Sequence, residues 1–259
     1  MGQAARGQEA DEVDRQRRHP AEGIFGGAGD GRGQRQVSGH EGRMTPQLRK
    51  ARSERILQEA GIPFLPSLPC VESEEETELR TSEEVGIRIC CLLCVAGTAF
   101  ESGDSVFAEY LRKNRLWEHL SPQETSYLTN PTLNAQTSRN MTWRCEAAVV
   151  LMWAVRLFDD LPLPREETDT TEIVSRMPEM STPPWNFIRA LELRSKSEIL
   201  DASDLIYRMH WATRQARIDG NKAPGGLVPG MVQEWHHAIN WLTIYDEDPS
   251  EWDAVPTDT

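Results

Sequence analysis

Beyond residue 44 apolar positions recur three and four apart, and no segment alternates apolar and polar residues for a convincing length, so the pattern predicts helices rather than strands. The ends of those helices are punctuated. Thr45-Pro46 pairs an N-cap with proline at the first helical position, and Gly61 with Pro63 just beyond closes the segment. An extended, acidic, proline-marked linker over residues 63–78 leads to Thr81-Ser82-Glu83-Glu84. This is a capping box, in which the Thr and Glu side chains each satisfy the other's free backbone N–H, and it predicts an apolar helix running to about residue 100. Val106, Phe107, Tyr110, Leu111, Trp117 and Leu120 at helical spacing predict a third helix, and Ser121-Pro122-Gln123-Glu124 opens a fourth.

Residues 143–158 carry apolar side chains in nearly every direction of the helical wheel, which predicts a central helix buried on several sides. A proline-rich break over 161–167 precedes a short helix at 169–180, and Thr182-Pro183 begins another. Ser195-Lys196-Ser197-Glu198 is a further capping box that opens a long helix to about residue 218, closed by Asp219-Gly220-Asn221. The last helix is expected over 231–245 and an extended tail over 252–259. The expectation is an all-α fold: a single globular, bundle-like domain of seven to eight helices over residues 44–259, with extended Pro-rich linkers.

Residues 1–43 read differently. They hold ten of the eighteen glycines and a single aromatic residue, Phe25, too little apolar surface to offset the entropy of ordering. A disordered N-terminal leader is expected there, with Met44 a candidate functional start. The cluster Gly26-Gly27-Ala28-Gly29-Asp30-Gly31 lacks the preceding strand and following helix of a phosphate loop and reads as flexible linker.

Charge narrows the partners. The formal net charge is -13, and because residues 1–43 contain seven Arg against seven Asp or Glu, the whole acidic excess falls after Met44. A nucleic-acid partner, which needs Lys and Arg on its phosphates, is not expected; a protein with a basic surface or a cationic small molecule suits the field. Five cysteines, Cys70, Cys90, Cys91, Cys94 and Cys145, an odd number with no secretory signal ahead of them, suggest a reducing cytoplasm. The longest apolar run, residues 89–96, is far short of the roughly 20 residues needed to span a bilayer. No membrane association is expected.

Two metal-like spacings carry little weight. Cys90-Cys91-Leu92-Leu93-Cys94 has no second close ligand pair, and it falls in mid-helix among apolar neighbours, where cysteine packs as a small hydrophobe. Glu234-Trp235-His236-His237 offers Glu-x-x-His, but a di-iron bundle needs that motif twice and it occurs once. A mononuclear set of Glu234, His237 or His236, and His210 stays open by ligand type alone; neither metal nor cofactor is expected.

The segment 204–214 is richer in chemistry. On its wheel Leu205, Met209, Ala212 and Ala216 share one face while Tyr207, Trp211, Arg214 and Ile218 share the other, so Arg208, His210 and Arg214 are expected to be at least partly enclosed. Enclosed charge requires partners, for which Glu146 and Glu234 are the candidates, with Arg144 another cation needing a carboxylate; His236 and Asn240, sharing a face of the last helix, and Asp204 and Tyr207 complete the candidate group. A polar cluster between three helices is expected, as a packed network that fixes register. The alternative is a pocket in which Arg208, Arg214 or Arg144 holds an anionic small molecule while His210 or His236 transfers protons. The G-x-S-x-G and H-E-x-x-H hydrolase signatures are absent.

Several of these strings resemble a known family. They are Arg52-Ser53 with Ile56-Leu57 and Gly61-Ile62-Pro63, Leu116-Trp117 with Leu120-Ser121-Pro122, and Trp143-Arg144-Cys145-Glu146. Arg194-Ser195 with Glu198-Ile199-Leu200-Asp201, the 204–214 segment, Glu234 with His236 and Asn240-Trp241, and Trp252-Asp253 with Thr257-Asp258-Thr259 extend the likeness. Together they resemble the bacterial family called domain of unknown function 4272, from about residue 52 to the end. The resemblance implies no activity, but its strings coincide with the polar candidates, and His237 departs from its pattern. The functional expectation is a non-catalytic, cytoplasmic binding protein that neutralises a basic partner in the manner of an immunity protein; a small-molecule-binding protein or enzyme built on the Arg, His and Glu cluster is the alternative.

Overall fold

A computed structural model describes residues 44–101, 105–131, 134–244 and 252–259. The leader and glycine-loop readings of residues 1–43 lie outside them. The first helix, α1 (Pro46–Glu59), opens with the Thr45 hydroxyl accepting from the Leu48 N–H, and it closes where Gly61, at φ +68, lets Ile62 N–H return to the Leu57 carbonyl. The second, α2 (Ser82–Phe100), begins on the complete Thr81/Glu84 box. Next come α3 (Val106–Lys113), a 3-10 turn at Trp117–His119, and α4 (Pro122–Thr129), whose Ser121/Glu124 box is also complete.

The expected third helix therefore breaks after Lys113, where Asn114 caps it and Arg115 takes φ +57 so that Leu116 can turn back into the core. Residues 134–142 supply a helix that apolar periodicity does not announce, α5 (Ala135–Thr142), started by Asn134 accepting from the N–H groups of Gln136 and Thr137. The central helix is shorter than expected: α6 (Arg144–Ala154) is buried from Cys145 through Ala154 and stops at Arg156, which adopts φ +64.

The short helices are also trimmed, to α7 (Thr170–Ser175) and α8 (Trp185–Arg189), because prolines at 178, 183 and 184 interrupt them. The long helix is α9 (Lys196–Ile218), on a complete Ser195/Glu198 box, and the last is α10 (Pro229–Leu242). That helix ends at Leu242 rather than 245, with Ile244 at φ +48. Trp252–Ala254 forms a 3-10 turn, and residues 255–259 beyond it belong to no regular element.

No strand occurs among the described residues, and none of their helices is long and apolar enough to cross a membrane. The fold is all-α. In the packing order α1 lies on α9, α9 on α10, α10 on α6, and α6 on α2. The main core fills this series with Leu57, Ile89, Val150, Met152, Ile206, Val232 and Ile239, while the far face of α2 carries a second core with α3, α4, α5 and α8. Four of the five cysteines, all but Cys70, are buried, and burial pushes the Cys90, Cys91 and Cys145 thiols up to about 12, so they pack as neutral side chains.

Candidate functional site

The residues singled out by the sequence lie on α6, α9 and α10, but as separate groups rather than as one cluster. On the α1 side of α9, Asp204 and Arg208 sit one turn apart and are fully buried. Arg208 Nε and Nη2 donate to the two Asp204 carboxylate oxygens at 2.8 Å each, and Nη2 also donates to the Pro69 carbonyl at 3.1 Å. Glu54 of α1 stands 3.9 Å from Arg208 Nη1. A turn away Arg49, 1 % exposed, donates to Asp201 at 2.9 Å, while Lys50 and Lys196 donate to linker carbonyls at residues 66, 68, 74 and 77. This group fastens the linker over residues 63–80 to α1 and α9.

Between α6 and α10, Arg144 Nη1 meets both Glu234 oxygens, at 2.9 and 3.2 Å. Burial raises the Glu234 carboxyl above its ordinary range, and Arg144 opposes that rise. Glu146 takes a different partner from the arginines expected for it: both of its oxygens accept from Thr168, one from the N–H and one from the hydroxyl, each at 2.9 Å. Burial raises its pKa as well. The reason is geometric, because the loop between α6 and α7 folds back over the first turn of α6 and brings Thr168 to it.

The imidazoles form the third group. His210 Nδ1 and His236 Nδ1 are 2.7 Å apart in rings set nearly edge to face. The proton positions follow from the neighbours. The Pro256 carbonyl can only accept, so Asn240 presents its amide nitrogen there at 2.9 Å and, with its second hydrogen, to His236 Nε2 at 3.2 Å. His236 then carries its proton on Nδ1 and donates to His210 Nδ1, which leaves His210 protonated on Nε2. Tyr207 lies 5.8 Å from the His236 ring.

Desolvation, chiefly, lowers the His210 pKa to about 4 and that of His236 to about 3, so both rings are neutral at pH 7. His237, the second half of Glu-x-x-His, turns away from Glu234 and donates from Nε2 to the Trp252 carbonyl at 2.8 Å. Among the described residues no group of three or more His, Cys, Asp or Glu is placed to hold a metal. Arg214 is exposed, and its contact is the Thr259 hydroxyl at 3.2 Å. The expectation that it is enclosed is corrected: the last turns of α9, with Ile218 68 % exposed, outrun the packing.

Sequence reasoning missed a fourth group. Arg88, 5 % exposed in the middle of α2, pairs with the wholly buried Glu124, and its guanidinium stands 4.6 Å from the centre of the Trp252 ring. Arg80 stacks on Trp241 in the same way, at 4.3 Å. A lone arginine inside the run Gly86-Ile87-Arg88-Ile89-Cys90 was the available signal, since a charge in an apolar helix face needs a counter-charge.

Openings among the described residues include a polar cleft of about 420 Å³ walled by Arg80, Arg88, His119, Trp241 and Trp252, a second polar one of about 330 Å³ bordered by Arg49, Asp160, Arg194, Asp201 and Trp235, and an apolar cavity of about 380 Å³ between α2, α3 and α7. None of these three is lined by Arg208, His210 or His236.

The chain matches the family described as Domain of unknown function (DUF4272) over residues 49–255, and it belongs to that family. No characterised protein and no solved structure matches it.

Proposed function

We propose that this member of the DUF4272 family is a non-catalytic binding protein whose acidic surface engages a cationic protein partner. One observation carries the reading: the groups best suited to chemistry are spent on each other. Arg208 is neutralised by Asp204, Arg144 by Glu234, and the two imidazoles are closed into a chain that ends on the Pro256 carbonyl. A general base or an anion-holding arginine must reach substrate, and these reach protein. The acidic surplus of residues 44–259 lies largely outside these pairs, on side chains such as Glu76, Glu83, Glu118 and Glu166 that face solvent. A field of that sign attracts basic surfaces and speeds their encounter.

The test is affinity capture on the full chain with a panel of purified proteins of graded isoelectric point, at about 50 and 500 mM salt, where screening differs most. Selective retention of basic members at low salt, released at high salt, is the expected result. Retention without regard to charge, or none, overturns the reading. Turnover of any metabolite that His210→Ala abolishes without lowering the melting temperature would return catalysis to the imidazole pair.

A further inference from the structure

The apolar cavity between α2, α3 and α7 is unlike the polar groups around it. The tip of the Phe107 ring, from α3, meets Gly97 of α2 so closely that a β-carbon at Gly97 would stand 2.6 Å from it. The glycine thereby lets α3 approach α2 at one end while the space between Cys90, Cys94 and Met177 stays open. Its mouth is apolar too. Of the seven large apolar side chains exposed among the described residues, three line this cavity: Phe100 at 50 %, Val174 at 69 % and Met180 at 41 %. An exposed apolar rim continuous with an apolar hollow of small-molecule size is what a ligand site presents.

The charge around the cavity selects the ligand. Among the described residues Glu101 is the single charged one in its wall, and it caps the C-terminal end of α2. The carbonyls of a helix's last turn carry the negative end of its dipole, so the helix end and the carboxylate act with the same sign. The thiols bring no counter-charge, since burial holds Cys90 and Cys145 protonated, and the Tyr110 and Thr170 hydroxyls add neutral hydrogen-bonding groups. A carboxylate-headed ligand would be repelled at that end and a cation held.

We propose that this cavity binds a small hydrophobic amine, its apolar body lodged between α2, α3 and α7 and its ammonium at Glu101. The proposal stands apart from the acidic-surface reading above: protein capture can fail while amine binding persists, and the reverse.

Titration calorimetry on the full chain with 4-phenylbutylamine, 4-phenylbutanol and 4-phenylbutyrate tests it, because the three share a body and differ in head charge. The expected order is amine, alcohol, carboxylate, with about tenfold between the ends at low salt, and the spread shrinks as salt rises. Glu101→Gln should weaken the amine about two- to fivefold and leave the alcohol unchanged, and Val174→Lys, which sets a cation on the exposed rim, should weaken the amine alone by a similar factor. Both positions are exposed, so neither variant threatens folding. Leu93→Trp, which fills the cavity, should abolish all three titrations. No binding of any of the three by wild type, tightest binding by the carboxylate, or full amine affinity in Glu101→Gln overturns the proposal.

Discussion

Acidification should unfold this protein earlier than its carboxylates alone would dictate, because three imidazoles are buried neutral. His210, His236 and His237 have folded-state pKa values of about 4, 3 and 4, lowered first by desolvation, against 6.5 for the free side chain. A group whose pKa is depressed by folding contributes full stability above its unfolded value and loses it as pH falls from there to the folded value, where the loss levels off. The window is therefore from about pH 6.5 down to about pH 4. At pH 5 each unfolded imidazole has gained a proton that the folded one refuses, which costs about 2 kcal/mol per ring. Over the three rings the total is about 4–6 kcal/mol. That rivals the whole stability of an ordinary domain. Glu146 and Glu234, whose pKa values are raised, act in the opposite sense: their folded carboxyls take up protons before the unfolded ones do, which returns some stability at the acid end. Urea unfolding followed by tryptophan fluorescence from pH 8 to pH 5 measures the slope. His237→Gln, which can keep the bond to the Trp252 carbonyl, should reduce it by about a third. A stability flat between pH 7.5 and pH 5, or a full slope in His237→Gln, would refute the reasoning.

Three other perturbations probe the buried pairs and the core. Glu124→Gln preserves a cap for α4 but leaves Arg88 buried without its counter-charge, at a cost of about 3–5 kcal/mol; Arg88→Met with Glu124→Gln should recover much of that in chemical denaturation. Arg194 donates to the carbonyls of Trp153, in the last turn of α6, and of Phe158 and Asp159 beyond it, so Arg194→Met should cost about 1–3 kcal/mol and speed amide exchange over residues 155–160 ahead of the rest. Gly86→Ala drives a methyl to 2.8 Å from Leu191 and 3.1 Å from Ile188, an overpacking worth about 1–3 kcal/mol, and a melting temperature at or above wild type would show that those side chains yield freely.

Most helix starts were legible because capping is local chemistry. Thr45, Thr81, Ser121 and Ser195 each bond to an N–H three residues on, so four letters of sequence contain the whole interaction. Helix α5 escaped because its sequence, Ala-Gln-Thr-Ser-Arg-Asn-Met-Thr, buries only Met141; the Asn134 cap was its one signal. Helix ends were overrun at residues 113, 154 and 242 because non-glycine residues take positive φ just beyond each, a choice imposed by packing. For the polar candidates the wheel fixed faces but not depth along the helix axis. It put His210 and His236 in one polar cluster, yet it could not foresee that their rings meet, that Glu146 meets a loop threonine, or that Arg208 spends itself one turn back on Asp204.

The tail explains why this core tolerates so many cations. Trp252 is 3 % exposed, and its ring is approached by Arg88 at 4.6 Å, Arg144 at 5.9 Å, His237 at 4.5 Å and Trp241 at 5.6 Å. A guanidinium stripped of water regains part of the loss from the negative face of an indole, by about 2 kcal/mol where both are desolvated. Arg88 and Arg144 each have one carboxylate, Glu124 and Glu234, and a buried arginine nitrogen apiece with no hydrogen-bond partner, so the indole supplies what the carboxylates leave undone. The same residue holds His237 through its backbone carbonyl, and four residues on Pro256 holds Asn240, which sets the His236 tautomer. Trp252→Ala should therefore loosen two ion pairs and the imidazole chain together, and its stability loss should exceed the roughly 3–5 kcal/mol of a buried Trp truncation. A loss within that range, with the steep acid slope unchanged, would mean the tail covers the core without organising it.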